Sequence, residues 1–162
     1  INDDDRRIYH SKDPKVTMSF SSTFNWKNWD LGFAMHANIG NYVYADAMSD
    51  HAVVEDCWKN GKVNNLIQTD YYFNGTINPA VGIMKSDYWL RNASFLRCDN
   101  ITLGHTWPYL LDNKMRLRLY GAVQNPFVIT KYKGLDPEVA SGIDRDVYPR
   151  ATTFTIGVVA SF

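Results

Sequence analysis

The stretch Tyr148 to Phe162 reads YPRATTFTIGVVASF, and from Phe154 onward its residues alternate in character. Phe154, Ile156, Val158, Ala160 and Phe162 share one parity, and Thr153, Thr155, Gly157, Val159 and Ser161 share the other. Alternation with a period of two predicts a strand with one apolar face. Soluble domains usually finish in a polar, frayed tail, so an aromatic residue completing a strand face asks for a reason. A barrel in an outer membrane supplies one, because its closing strand must pair and leave no edge in lipid. Taken alone, the stretch fits a strand of a soluble sheet equally well.

Working outward, the same period recurs. In Met115 to Gln124, Met115, Leu117, Leu119, Gly121 and Val123 oppose Arg116, Arg118, Tyr120, Ala122 and Gln124. Tyr88 to Trp107 returns to strand character, with Ile101, Leu103, His105 and Trp107 on one face. Arg97 and Asp99 share that apolar parity, which predicts that they lie beyond the hydrocarbon. Pro108 and the Asp112-Asn113 pair mark a short turn between these two strands. Nearer the start, Val16 to Trp26 and Leu31 to Val43 alternate over ten residues or more, joined by the turn Lys27-Asn28-Trp29-Asp30. Strands of this length suit a tilted membrane crossing better than the ~5–6 residues usual in soluble sheets. Trp26 and Trp29 stand where an aromatic belt would meet the membrane boundary.

Between the strands the rhythm is short turn, long loop, short turn, long loop. Tyr44 to Asp87 is the first long connection. Within it AMSDHAVVEDCWKNGK suits a short helix, capped by Ser49 or Asp50 and ended by Gly61. Asn125 to Arg150 is the second, punctuated by Gly134, Asp136-Pro137, Gly142 and Tyr148-Pro149. Loops this long are usually functional, and barrels place them on the outer side. His51, Glu55 and Cys57 match no metal-site spacing, and Cys57 and Cys98 match no zinc or redox motif. Whether the two cysteines pair stays open at this level.

The chain has 162 residues, with 17 Lys plus Arg against 17 Asp plus Glu, so its net charge is +0. No basic excess recommends a nucleic-acid partner. Aromatic residues make up 14 % and mean hydropathy is -0.34, which fits strands that turn only alternate residues to lipid. No apolar run approaches the ~20 residues of a helical span. The chain opens at Ile1 with neither an initiator Met nor a visible signal peptide, and is read as a processed product or a piece of something longer.

Three stretches together resemble one family: SDYWLRNASFLRCDNITLGHTWP (Ser86 to Pro108), RLRLYGAVQNPFVITKYKGLDPEV with GIDRDVYPR after it (Arg116 onward), and the final FTIGVVASF. In this order they look like the C-terminal end of the SusC/RagA-like TonB-dependent outer-membrane transporters, and WKNWDLGFAMHANIGNYVY fits the preceding strand pair. His105 stands where the family usually has an aromatic residue, and Cys98 where it usually has an apolar one. The resemblance implies an all-β fold in which residues 1–162 supply the last five antiparallel strands of a 22-stranded transmembrane barrel. The plug domain and the earlier strands lie outside the chain. Asp5 would then be a remnant of a calcium-loop-like run, and no other metal ligand and no cofactor is expected.

That family imports nutrients too large for porins, typically glycan oligomers or peptides, at the cell outer membrane. The expected partners are a SusD-like surface lipoprotein that lids the barrel, the TonB complex acting through the plug, outer-membrane lipid and the barrel-assembly machinery. Thr155, Gly157, Ala160 and Phe162 match the assembly signal of outer-membrane strands. Substrate-lining candidates are Asn100, Thr102, Arg116, Arg118, Tyr120 and Gln124 on the lumen face. Tyr71, Tyr72, Phe73, Tyr132 and Tyr148 are the loop candidates. Aromatic rings stack on sugars and arginines pair with carboxylates. A stand-alone soluble β-sandwich that binds ligand through its loops is the alternative. A hydrolase is disfavoured, since no serine, histidine and acid stand at a recognisable spacing.

Overall fold

Alternate β-branched and aromatic side chains favour an extended backbone, and the computed structural model realises nearly every alternating run as a strand. It describes residues 4, 7–50, 58–59, 62–63, 86–112, 114–145 and 147–162. In chain order the elements are β1 (Val16–Trp26), β2 (Trp29–Ile39), β3 (Tyr42–Tyr44), the short helix α1 (Asp46–Asp50), β4 (Trp58–Lys59) and β5 (Lys62–Val63). A 3-10 turn (Asp87–Trp89), β6 (Leu90–Asn92), β7 (Phe95–Leu110), β8 (Met115–Thr130) and β9 (Thr153–Ser161) follow. They fall into two units: a strand unit (16–39, 95–130, 150–162) and a loop unit (1–15, 40–94, 131–149).

The strand unit is one antiparallel sheet in the order β1-β2-β7-β8-β9. A sandwich would divide long strands between two facing layers; here all five lie in one. In register, Asn25, Asp30, Gly104, Tyr120 and Gly157 stand side by side across it. Polar and small residues share that face. The opposite face carries Phe20, Phe33, Leu103, Leu119, Ile156 and their neighbours. It lies open, with Phe154 76 % and Ile156 83 % exposed. An uncovered apolar face this wide marks a surface meant for an apolar neighbour. At 9 to 16 residues, the strands have the reach of membrane-crossing strands.

Several boundaries depart from the sequence expectation. Trp29 and Asp30 belong to β2, leaving Lys27-Asn28 as a two-residue turn with Lys27 at φ 55°, the positive φ that tight hairpins need. The run to Val43 divides at Gly40, whose φ is 84°. Tyr88 to Trp107 likewise divides, and β7 continues through Pro108 to Leu110. The register slips between Trp107 and Leu110, as a residue without an N–H allows. The turn carries positive φ at Leu111 and Asp112. Strand β8 runs six residues past Gln124, because Asn125 adopts φ 51° and bulges without ending the strand. Helix α1 begins at Asp46, ahead of the expected caps Ser49 and Asp50.

The loop unit packs conventionally. Val43, Ala93 and Tyr132 are buried together, with Val139 against them. Strand β3 pairs with β6, and Tyr44 exchanges backbone bonds with the 142–144 segment through Gly142 O (2.9 Å) and Asp144 N (2.9 Å). Arg145 pairs with Asp46, which opens α1. The loop from 131 to 149 is thereby tied to the one around residue 44.

Candidate functional site on the polar face

Charged side chains on a strand face either reach solvent or find one another. Asp30 on β2 and Arg118 on β8 do the latter across β7. Arg118 Nε donates to Asp30 Oδ1 at 3.0 Å and Nη2 to Oδ2 at 2.5 Å. The fork matches a carboxylate with two parallel bonds. Arg118 also lies 4.9 Å from the centre of the Tyr120 ring, within cation–π range. This arrangement needs room beneath it. At Gly104 a Cβ would come within 2.5 Å of Asp30 Oδ1, and at Gly157 it would enter the Tyr120 ring. The two glycines are what let the pair and the ring lie flat on the sheet.

Further along the same face, both β7 and β8 break register at one level. Against β2, Met35 faces Cys98 and Ala34 faces Asn100, so Asp99 is an extra residue. Against β8, Cys98 faces Phe127 and Asn100 faces Gln124, so Asn125 and Pro126 bulge opposite it. A bulge shifts the alternation by one. Arg97 therefore sits beside His36 on the polar face, a correction to its expected apolar parity. The bulge, beyond any distance from the hydrocarbon, reconciles the arginine with the strand.

The paired bulges open a pocket of about 430 Å³ lined by Arg97, Asp99, Asn100, Gln124, Asn125, Arg150 and Ala151. Arg97 is 3 % exposed and donates from Nη1 to Asn125 Oδ1 at 2.9 Å. The Asn125 amide donates in turn to Arg150 O at 3.1 Å, and Thr152 Oγ1 donates to Asn125 O at 2.9 Å. Asn125 thus joins the β8 bulge to the approach of β9. His36 Nδ1 lies 2.9 Å from Asp99.

Of the sequence candidates, Asn100 and Gln124 line this pocket, and Arg118 and Tyr120 form the cluster with Asp30. Thr102 and Arg116 lie on the same face, where Thr102 faces Ala122 and Arg116 faces Ser161. Tyr148 is exposed. Tyr132 is not a presented aromatic. It is buried in the loop-unit core, and its hydroxyl donates to Asp144 Oδ2 at 2.5 Å. Burial, reinforced by the Asp144 carboxylate, pushes its phenol well above the usual tyrosine range. Tyr71, Tyr72, Phe73, Cys57 and Asp5 lie outside the described residues. Cys98 is a free, buried thiol. Among the described residues no cluster of His, Cys, Asp or Glu could hold a metal ion, and no helix is long and apolar enough to cross a membrane.

Sequence reasoning missed Asp30, Arg97, Asp99, Asn125 and Arg150. By sequence Asp30 reads as part of a turn and Asn125 as part of a loop. The signal for the first was a glycine at matching parity on two other strands, Gly104 and Gly157.

No family model matches the chain. It is 41 % identical to the TonB-dependent receptor SusC of Bacteroides thetaiotaomicron, an alignment covering 100 % of this chain and 16 % of that protein. It is 26 % identical to the TonB-dependent receptor P3 of Formosa agariphila, across 100 % of this chain and 18 % of that one. The chain thus spans under a fifth of these relatives' length. Among solved structures, the RagAB peptide transporter superimposes with a TM-score of 0.67 at 21 % identity, covering 96 % of this chain and 18 % of the other. The RagAB peptide importer in its open-open state gives 0.65 at 26 %, with the same coverage.

Proposed function

We propose, because this chain belongs to the SusC/RagA-like TonB-dependent receptors as a segment of one, that the complete protein is an active nutrient importer of the outer membrane. Its cargo is a glycan oligomer or a peptide. Residues 1–162 are one sector of a 22-stranded barrel: the apolar face of β1, β2, β7, β8 and β9 meets lipid, and the polar face meets the lumen. A SusD-like lipoprotein covers the outer opening, TonB acts on a plug supplied by the rest of the protein, and the assembly machinery reads Thr155, Gly157, Ala160 and Phe162. The receptors and importers among its relatives support a role other than catalysis.

The observation that carries this reading is the open apolar face on a sheet of membrane-length strands. Water does not tolerate such a face, and lipid requires it. Its lumen face offers Asn100, Thr102, Arg116, Arg118, Tyr120 and Gln124 to passing cargo.

Fractionation and uptake test it together. The full-length protein should enter the outer membrane, and cells carrying it should accumulate labelled oligosaccharide or peptide only while TonB is energised. Removing residues 153–162 should abolish both. Recovery of the protein in the soluble fraction, or uptake independent of TonB, would refute the proposal.

A further inference from the structure

We infer that the pocket between the β7 and β8 bulges is a subsite for a carboxylate carried by the cargo. The inference rests on the import reading and names the chemistry of one position within it. Two bulges that coincide in adjacent strands are not needed to make a sheet, and bulges gather where a side chain must be re-aimed. Here the result is specific. Shifting the alternation at Asp99 swings Arg97 from the apolar to the polar face. The αL turn at Asn125 brings that residue's amide oxygen to the Arg97 guanidinium at 2.9 Å.

Burying a guanidinium is costly unless it is hydrogen-bonded and directed. Arg97, 3 % exposed and held by Asn125, is a cation fixed in a wall before any ligand arrives. Such preorganisation removes an ordering cost from binding. Arg150 supplies a second guanidinium, and Asn100, Gln124 and Asn125 supply amides that donate to oxygen. Among the described residues the lining holds two arginines and one carboxylate, Asp99, and Asp99 lies 2.9 Å from His36 Nδ1. Two guanidinium groups in a concave, polar pocket of about 430 Å³ suit a planar anion, because a guanidinium meets a carboxylate through two matched bonds. A uronic acid and the C-terminus of a peptide both present that group.

The test uses the full-length protein in detergent and two matched probe pairs. One pair is trigalacturonate and its fully methyl-esterified form; the other is an N-acetylated tripeptide with a free C-terminus and its amide. Calorimetry should find at least one acid form binding about tenfold more tightly than its neutral partner, and the pair that discriminates identifies the source. Gln124→Glu, at an exposed position, and Arg150→Gln should each reduce that ratio about three- to tenfold. Equal binding of acid and neutral forms, no binding of any of the four probes, or a ratio indifferent to both substitutions would overturn the inference. If acid and neutral forms bind equally and both are imported with TonB energised, the import reading stands while the carboxylate subsite falls.

Discussion

In the loop unit Trp89 and Val43 are buried, while in the strand unit Phe154 and Ile156 stand in the open. The loop unit is built for water: apolar groups inside, and buried polar atoms such as Tyr132 Oη and Asp144 Oδ2 bonded to each other. The strand unit inverts that order. Its apolar side chains gain nothing from one another that lipid would not also give, and its charges gather on the polar face around Asp30 and Arg118. One chain therefore carries two solvents' worth of rules, and the boundaries fall at Lys15, Gly40, Ser94, Thr130 and Pro149, where the chain passes between units.

The sharpest way to break the comparison is to isolate the chain. A five-stranded sheet offers unpaired edges at β1 and β9, and each unsatisfied backbone group in hydrocarbon costs several kcal/mol. The 162-residue chain reconstituted alone should give no stable conductance in planar bilayers. Discrete channels would show that the sheet needs no neighbours. Next in size is a charge placed on either face of β9 in the full-length protein. Ile156→Arg should destabilise the folded barrel by about 2–4 kcal/mol, and Thr155→Arg by far less. Urea titration in lipid vesicles, followed by heat-modifiable mobility, measures both. Equal effects would erase the distinction between the faces.

The loop unit has its own tests. Asp144→Ala leaves the Tyr132 hydroxyl and the Leu135 N–H without their acceptor, a loss of about 1–3 kcal/mol. Limited proteolysis of intact vesicles should cut residues 131–149 faster while the strands stay protected. The smallest effect is in alkali. The phenol of Tyr132 is raised above its ordinary value. The unfolded chain therefore releases that proton first, near the usual tyrosine value of about 10. Stability from this group is complete below that pH and lost as pH rises beyond it. Protease sensitivity of the loop should climb above pH of about 10, and Tyr132→Phe should flatten that rise.

Much of this was legible in the sequence because a period of two is a local property. Strand β1 begins and ends where its alternation does, and β9 agrees to a residue at each end. What failed was whatever depended on partners. Asn125-Pro126 reads as a strand stop, and only the opposing Asp99 turns it into a bulge. Asp30 and Arg118 are 88 positions apart, and their pairing follows from a register that no single strand specifies. Tyr132 looked like an exposed loop aromatic because nothing near it in sequence announces Asp144 as its acceptor. The polar face could be named residue by residue, but the pocket in it could not.

The flat seat of Tyr120 over Gly157 has a consequence for how the sheet comes together. Strands of like pattern can slide past one another by two residues and keep every side chain on its proper face. Sliding β9 along β8 in that way would bring Thr155 or Val159 opposite Tyr120, where a Cβ has no room if the ring keeps its place. Glycine at 157 acts as a notch that the tyrosine can enter at one setting only. The aromatic ring proofreads the alignment of the strand beside it.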